Sequence, residues 1–210
     1  MGRYTVQLGM LKRFLGIVAL FIPVALAGCA AADKNVRLDY QPTVNAVGGK
    51  GELYVAITAE KSPLAGRSDV EWVLGEVKDS DGKRTGKVLS AMAPKDLVAD
   101  AFIQELKAAG YKVSVVPALP ANVAKGLDFT GITLTVDEVE GLAMAQAKGA
   151  LRVKVSVWKG GAKLKQLDYE EASSISALRA DSKVLDKTLH ETVVSCTRRA
   201  IPDILQALEY

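Results

Sequence analysis

Histidine and cysteine are almost missing from this chain. His190 is the single histidine, and Cys29 and Cys196 are the two cysteines. No second His or Cys stands at ligand spacing from another, which argues against a metal site. A Ser-His-Asp or Cys-His nucleophile would have to work through His190, which falls at the edge of the apolar face of a predicted helix. No nucleophile-elbow motif accompanies it. The glycines form no phosphate loop either: Gly48-Gly49-Lys50-Gly51 lacks the Walker spacing and the Ser or Thr that follows it. Internal repeats and low-complexity blocks are absent. One apolar run stands at the front, and no second one follows it.

That run is the chain's most informative feature. Arg3, Lys12 and Arg13 make a positive n-region, and Phe14 to Leu26 is apolar apart from Gly16 and Pro23. Its length suits a signal-peptide h-region better than a bilayer span. It ends in Leu26-Ala27-Gly28-Cys29, which resembles the lipobox of bacterial lipoproteins. Two plainer alternatives are an ordinary cleaved signal that happens to carry a cysteine, and an uncleaved anchor. The short run speaks against the anchor. The match of Leu26, Ala27 and Gly28 to the lipoprotein preference speaks against ordinary cleavage. The resemblance implies cleavage between Gly28 and Cys29, with diacylglycerol and an N-acyl chain on Cys29 holding the protein to a membrane; no other cofactor is expected. Several acyl chains, at about 0.8 kcal/mol per buried methylene, make a stable anchor. Ala30 and Ala31 stand where an Asp tends to retain such proteins at the inner membrane. The outer membrane's periplasmic face of a Gram-negative cell is therefore the implied location.

The expected organisation is a signal peptide over 1–28, a lipid-anchored flexible tether over 29–50 and one periplasmic domain over 51–210. The signal carries three of the 27 Lys+Arg and none of the 24 Asp+Glu, so the remaining chain is formally neutral. A nucleic-acid partner loses its support with that neutrality. With Cys29 acylated, Cys196 has no disulfide partner. Cys196 sits on a helical apolar stripe and reads as a buried, inert thiol.

Period-two alternation predicts strands at Leu53–Ile57, Val70–Leu74, Tyr111–Val116, Ile132–Val136, Leu151–Val157 and Lys163–Ala172. Ser80-Asp81-Gly82-Lys83 suits a hairpin turn, although the hairpin it would close is polar and has little to bury. Ala121 to Lys125 could form a short helical turn. Pro94 to Ala109 reads as a helix with Leu97, Val98, Ala101, Phe102, Leu106 and Ala109 on one stripe, stopped by Gly110. Lys183 to Leu208 reads as a second helix, with Asp181 or Ser182 as its cap and Pro202 kinking or dividing it. The sum is an α+β domain: a mostly antiparallel sheet of five to six strands with two helices (about 94–109 and 183–208) packed on one face.

Two acidic clusters, Asp137-Glu138-Val139-Glu140 and Asp168-Tyr169-Glu170-Glu171, could pair for acid/base work or hold a cation. As solvated strand ends they would simply discourage edge-to-edge pairing. Trp158 falls on the polar phase of its strand; it is either an exposed interaction anchor or a plug at the end of the core. Trp158 and Tyr169 are the candidate interaction residues, and no catalytic or metal-ligating set is assigned.

The order downstream of the lipobox resembles the YajG-type lipoprotein family of Gram-negative bacteria. Val70 to Gly75 leads into a small Gly-containing hairpin. Pro94-Lys95-Asp96-Leu97 opens a helix that closes as Glu105-Leu106-Lys107-Ala108-Ala109-Gly110-Tyr111. The Leu134 strand, the Lys154-to-Lys165 hairpin and a closing helix follow. The resemblance spans about residues 50–208 and carries no catalytic residues. It implies a non-enzymatic envelope lipoprotein that docks onto another envelope protein or assembly. The alternative is a transport auxiliary that binds a small ligand or amphiphile in an apolar cavity between sheet and helices.

Overall fold

The computed structural model describes residues 33–57, 72–179, 181 and 183–210. The signal, Gly28, Cys29, Ala30, Ala31, Val70 and Ser182 lie outside the described residues, as does most of the chain between the first two strands expected from the sequence. Residues 33–210 form one compact unit.

Eight strands make one mixed sheet: β1 (Lys34–Val36), β2 (Glu52–Ala56), β3 (Trp72–Asp79), β4 (Arg84–Ser90), β5 (Lys112–Val116), β6 (Lys125–Glu140), β7 (Met144–Lys159) and β8 (Ala162–Leu178). Helix α1 (Pro94–Ala108) falls between β4 and β5, and α2 (Val184–Glu209) closes the chain. β6, β7 and β8 form a long antiparallel meander. The other edge of β6 is shared. β2 pairs parallel to its first residues and carries β5, while β3 pairs parallel to its last residues and leads to β4 and β1.

The expected mostly antiparallel sheet is thus corrected. Of the seven pairings, β1–β4, β2–β5, β2–β6 and β3–β6 are parallel, and β3–β4, β6–β7 and β7–β8 are antiparallel. The α1 connection accounts for one of the four, returning the chain to the sheet edge at β5 in the same direction as β2. The other three also join strands that no hairpin links directly.

Both helices lie where their stripes predict. Every named stripe residue of α1 is buried, as are Leu185, Leu189, Val193, Cys196, Ala200, Ile204 and Leu208 of α2. α1 packs on β5 and β6, α2 packs on β6, β7 and β8, and the helices touch each other. Phe102 of α1 meets Phe129 of β6 edge-on, ring centres 5.2 Å apart. Gly110, with φ +112°, stops α1, and the Tyr111 N–H turns back to the Leu106 carbonyl at 3.1 Å.

Four differences have local causes. Pro202 does not divide α2: it and Arg198, whose carbonyl it leaves without a helical partner, both lie on the exposed side, where that carbonyl is open to solvent. Residues 121–124 form no helix, and Lys125 already belongs to β6. A bulge between Phe129 and Gly131 shifts the buried phase of β6 from Leu127 and Phe129 to Leu134, Val136 and Glu138. The polar β3–β4 hairpin buries Val77, Val88 and Leu89 after all.

Candidate functional site

The end of the sheet where the described chain begins carries the densest polar construction. β1 lies parallel to β4, with Lys34 opposite Val88 and Val36 opposite Ser90. The Asp33 carboxylate accepts the Lys87 N–H at 2.8 Å. Lys34 then reaches across to β6. Its Nζ donates to both Glu138 oxygens at 2.9 Å and also to Glu140. Arg179, just past β8, donates to Glu140 at 3.2 Å. Glu138 is only 1% exposed, and the Lys34 ammonium pairs with it.

Burial acts against the Lys34 charge, but the hydrogen bonds to Glu140 and Glu138 outweigh it and hold the ammonium's pKa above its ordinary 10.5. The hydrogen bond from Lys34 pulls the Glu140 carboxyl below its ordinary 4.5, against burial and with help from Arg179. A 370 Å³ concavity lies alongside, between Lys34, Asn35, Arg179 and the start of α2 at Val184 and Leu185.

From β1 the chain runs over the helices as a strap. The Arg37 N–H donates to Asp186 at 3.0 Å. Tyr40 is buried, and its O–H donates to Glu105 of α1 at 2.6 Å with the Thr197 hydroxyl 2.8 Å away. The N–H groups of Thr43 and Val44 also donate to Glu105, at 2.7 and 3.2 Å. Burial, then the Glu105 bond, pushes the Tyr40 phenol well above its ordinary range. The Glu105 side chain, 1% exposed, is thus satisfied by aimed N–H and O–H donors. Further on, the Gly49 N–H bonds the Ala109 carbonyl at 3.0 Å. The stretch from residue 33 to 50, assigned to a flexible tether by its small and polar residues, is therefore held to the body over its length. Composition missed the long-range partners.

At the other end of the strap, Lys125 donates to Glu209 at 2.6 Å and to the Lys50 carbonyl at 2.9 Å. The Tyr111 O–H also donates to Glu209, at 2.5 Å. These bonds outweigh burial and lower the Glu209 carboxyl.

The residues singled out from sequence do not converge. Tyr169 is 4% exposed and faces inward, its O–H on Asp203 at 3.0 Å, so it offers no surface contact. The alternation of β8 puts it on the buried face with Leu167. Trp158 is half-buried at the far end of β7, its Nε1 buried without a hydrogen-bond partner. Cys196 is buried, and burial, seconded by Glu171, pushes its thiol up to about 12. His190 stands half-exposed 6.2 Å from the Tyr40 ring centre, in an open groove of about 470 Å³ with Arg37, Asp39, Lys187 and Glu191.

The acidic clusters split. Glu138 is buried in an ion pair, Asp137 accepts the Glu76 N–H at 2.8 Å, Glu170 pairs with Arg152 at 2.8 Å, and Glu171 pairs with Arg199. Among the described residues no three His, Cys, Asp or Glu side chains are grouped to hold a metal ion. No described helix is long and apolar enough to cross a membrane.

No family model and no curated protein matches this chain. Among solved structures, a protein from Xanthomonas campestris is similar at 10% identity and a TM-score of 0.47, over 84% of this chain and 95% of that one. A minor lipoprotein from Acinetobacter baumannii is similar at 14% identity and a TM-score of 0.36, over 61% and 90%. The rare lipoprotein B from Shewanella oneidensis is similar at 14% identity and a TM-score of 0.29, over 64% and 92%. Likenesses this distant carry no weight for what the chain does.

Proposed function

We propose that this chain is a bacterial envelope lipoprotein, of the YajG type or a near relation, fastened through acylated Cys29. It acts without catalysis as a docking subunit for another envelope protein. One observation carries this: Leu26-Ala27-Gly28-Cys29 stands behind a charged and apolar leader, and the folded body begins at Asp33, four residues later. Lys34, Tyr40, Glu140 and Glu209 are engaged in structural hydrogen bonds.

The outer membrane's periplasmic face is the proposed address, from Ala30 and Ala31 after the cysteine. Trp158, at the end of β7 farthest from Asp33, is the proposed contact for a protein partner. Labelled palmitate should enter the wild-type chain and fail to enter Cys29→Ser; label persisting in that variant would sink the anchor.

Amphiphile binding has one observation in its favour. A groove of about 320 Å³ between the strap and α2 is walled by Val47, Pro202, Leu205 and Tyr210. Purification from solubilised envelope separates the two functions. A stoichiometric protein partner supports docking, and co-purified lipid supports carriage.

A further inference from the structure

The tip of the β6–β7 turn is apolar and bare. Leu142 is 98% exposed, Met144 48% and Leu178 66%. Met144 and Leu178 are direct cross-strand partners at the ends of β7 and β8. The turn is braced by the Gly141 N–H on the Met144 carbonyl at 2.8 Å and the Arg179 N–H on the Ala143 carbonyl at 3.0 Å. Leu142 is thus bare at the tip of a hydrogen-bonded hairpin, with the exposed Met144–Leu178 pair at its base, where a solvated turn would ordinarily be polar.

The same end is where the chain enters the body. Lys34 is bonded to Glu140, the residue before Gly141, and Arg179 joins Glu140 from the end of β8. Asp33 is four residue steps from Cys29, and an extended chain spans at most about 3.6 Å per residue, so an acyl anchor on Cys29 would be on a leash of at most roughly 14 Å from Asp33. A bilayer holding that anchor would be within reach of the sheet end that carries Leu142. The neighbouring charges are mixed: Lys34, Lys83, Arg84 and Arg179 stand with Asp33, Asp79, Asp81 and Glu140. A polyanion has no preferred footing here.

We propose that Leu142, Met144 and Leu178 form a membrane-inserting tip, the second point at which this protein meets the lipid surface that carries its anchor. The proposal rests on acylation of Cys29. The anchor supplies the local concentration, so a contact too weak to recruit a free protein still persists once tethered. β7 then leads away from the bilayer. At about 3.4 Å per residue its length places the Gly160-Gly161 turn and Leu164 roughly 50 Å off.

The test uses the full chain, purified with its native modification and reconstituted into vesicles of phosphatidylethanolamine and phosphatidylglycerol. Leu142→Cys, Leu178→Cys and, as control, Leu164→Cys each receive an environment-sensitive fluorophore. Cys196 is buried and stays unlabelled. All three sites are exposed, so folding is not at stake. The expected result is a blue shift and loss of iodide quenching at 142 and 178, quenching there by spin-labelled lipid, and a water-like label at 164. Mass spectrometry of the N-terminal peptide is read on the same sample. An acylated Cys29 with a water-like label at 142 and 178 overturns the inserting tip and leaves the anchor standing. An unmodified Cys29 overturns both.

Discussion

Glu105 and Glu138 show how one residue type, read as surface by default, can organise an interior. Glu138, read from the sequence as part of a solvated strand end, falls on the shifted phase of β6 in line with Leu134 and Val136, four and two positions earlier. Glu105 falls three and four residues after Phe102 and Ala101, on the apolar stripe of α1, but nothing local announces that Tyr40, Thr43 and Val44 will arrive to satisfy it. Replacing Glu105 by Ala strands two partly buried N–H groups and a buried phenol and is expected to cost about 2 kcal/mol in urea unfolding. Tyr40→Phe, which leaves the carboxylate its N–H donors, should cost about 1 kcal/mol. Equal losses would mean that the strap's backbone bonds contribute nothing.

The elements were legible where their period was unbroken. The two helices and the Leu151–Val157 core of β7 emerged because their apolar residues are large. The strand extensions did not: β7 begins at Met144, and its buried positions there are Ala145, Ala147 and Gly149, too small to stand out in a pattern. Their smallness has a use. A Cβ on Gly149 would sit 2.1 Å from the Thr192 hydroxyl of α2, so the helix rests almost on the strand backbone. Thr192 in turn donates to the Thr188 carbonyl at 2.7 Å and meets Ser173 of β8. Gly149→Ala is expected to lower stability by roughly 2 kcal/mol through this overlap. Adding Thr192→Ala should restore part of it, giving a non-additive double-mutant cycle. Strictly additive losses would place the strain elsewhere. Parallel pairing stayed hidden for a different reason: it joins segments far apart in sequence, and alternation within one strand says nothing about the direction of its neighbour.

At the scale of the whole molecule, β1 joins the chain's entry point to the sheet, and its hold should depend on pH at both extremes. The lowered Glu140 carboxyl contributes stability that is complete above its ordinary 4.5 and fades as pH falls through its lower folded value. The raised Lys34 contributes fully below 10.5 and fades as pH rises through its higher folded value. Urea midpoints measured against pH should therefore show an acid limb that is shallower in Glu140→Gln than in the parent. Superimposable acid limbs would remove Glu140 from the account. This clasp escaped the sequence because Lys34 is 104 residues from Glu138, in a stretch whose small and polar residues resembled a linker.

A clasp at the entry point also decides how the molecule answers a mechanical load. Tension arriving through the N-terminus meets the three-residue β1 and the Lys34 contacts first, and the Glu105 cradle only at Tyr40, beyond the end of β1 at Val36. The two catches would give in sequence, so the outermost turn of chain can pay out like a short leash while helices and meander keep their shape.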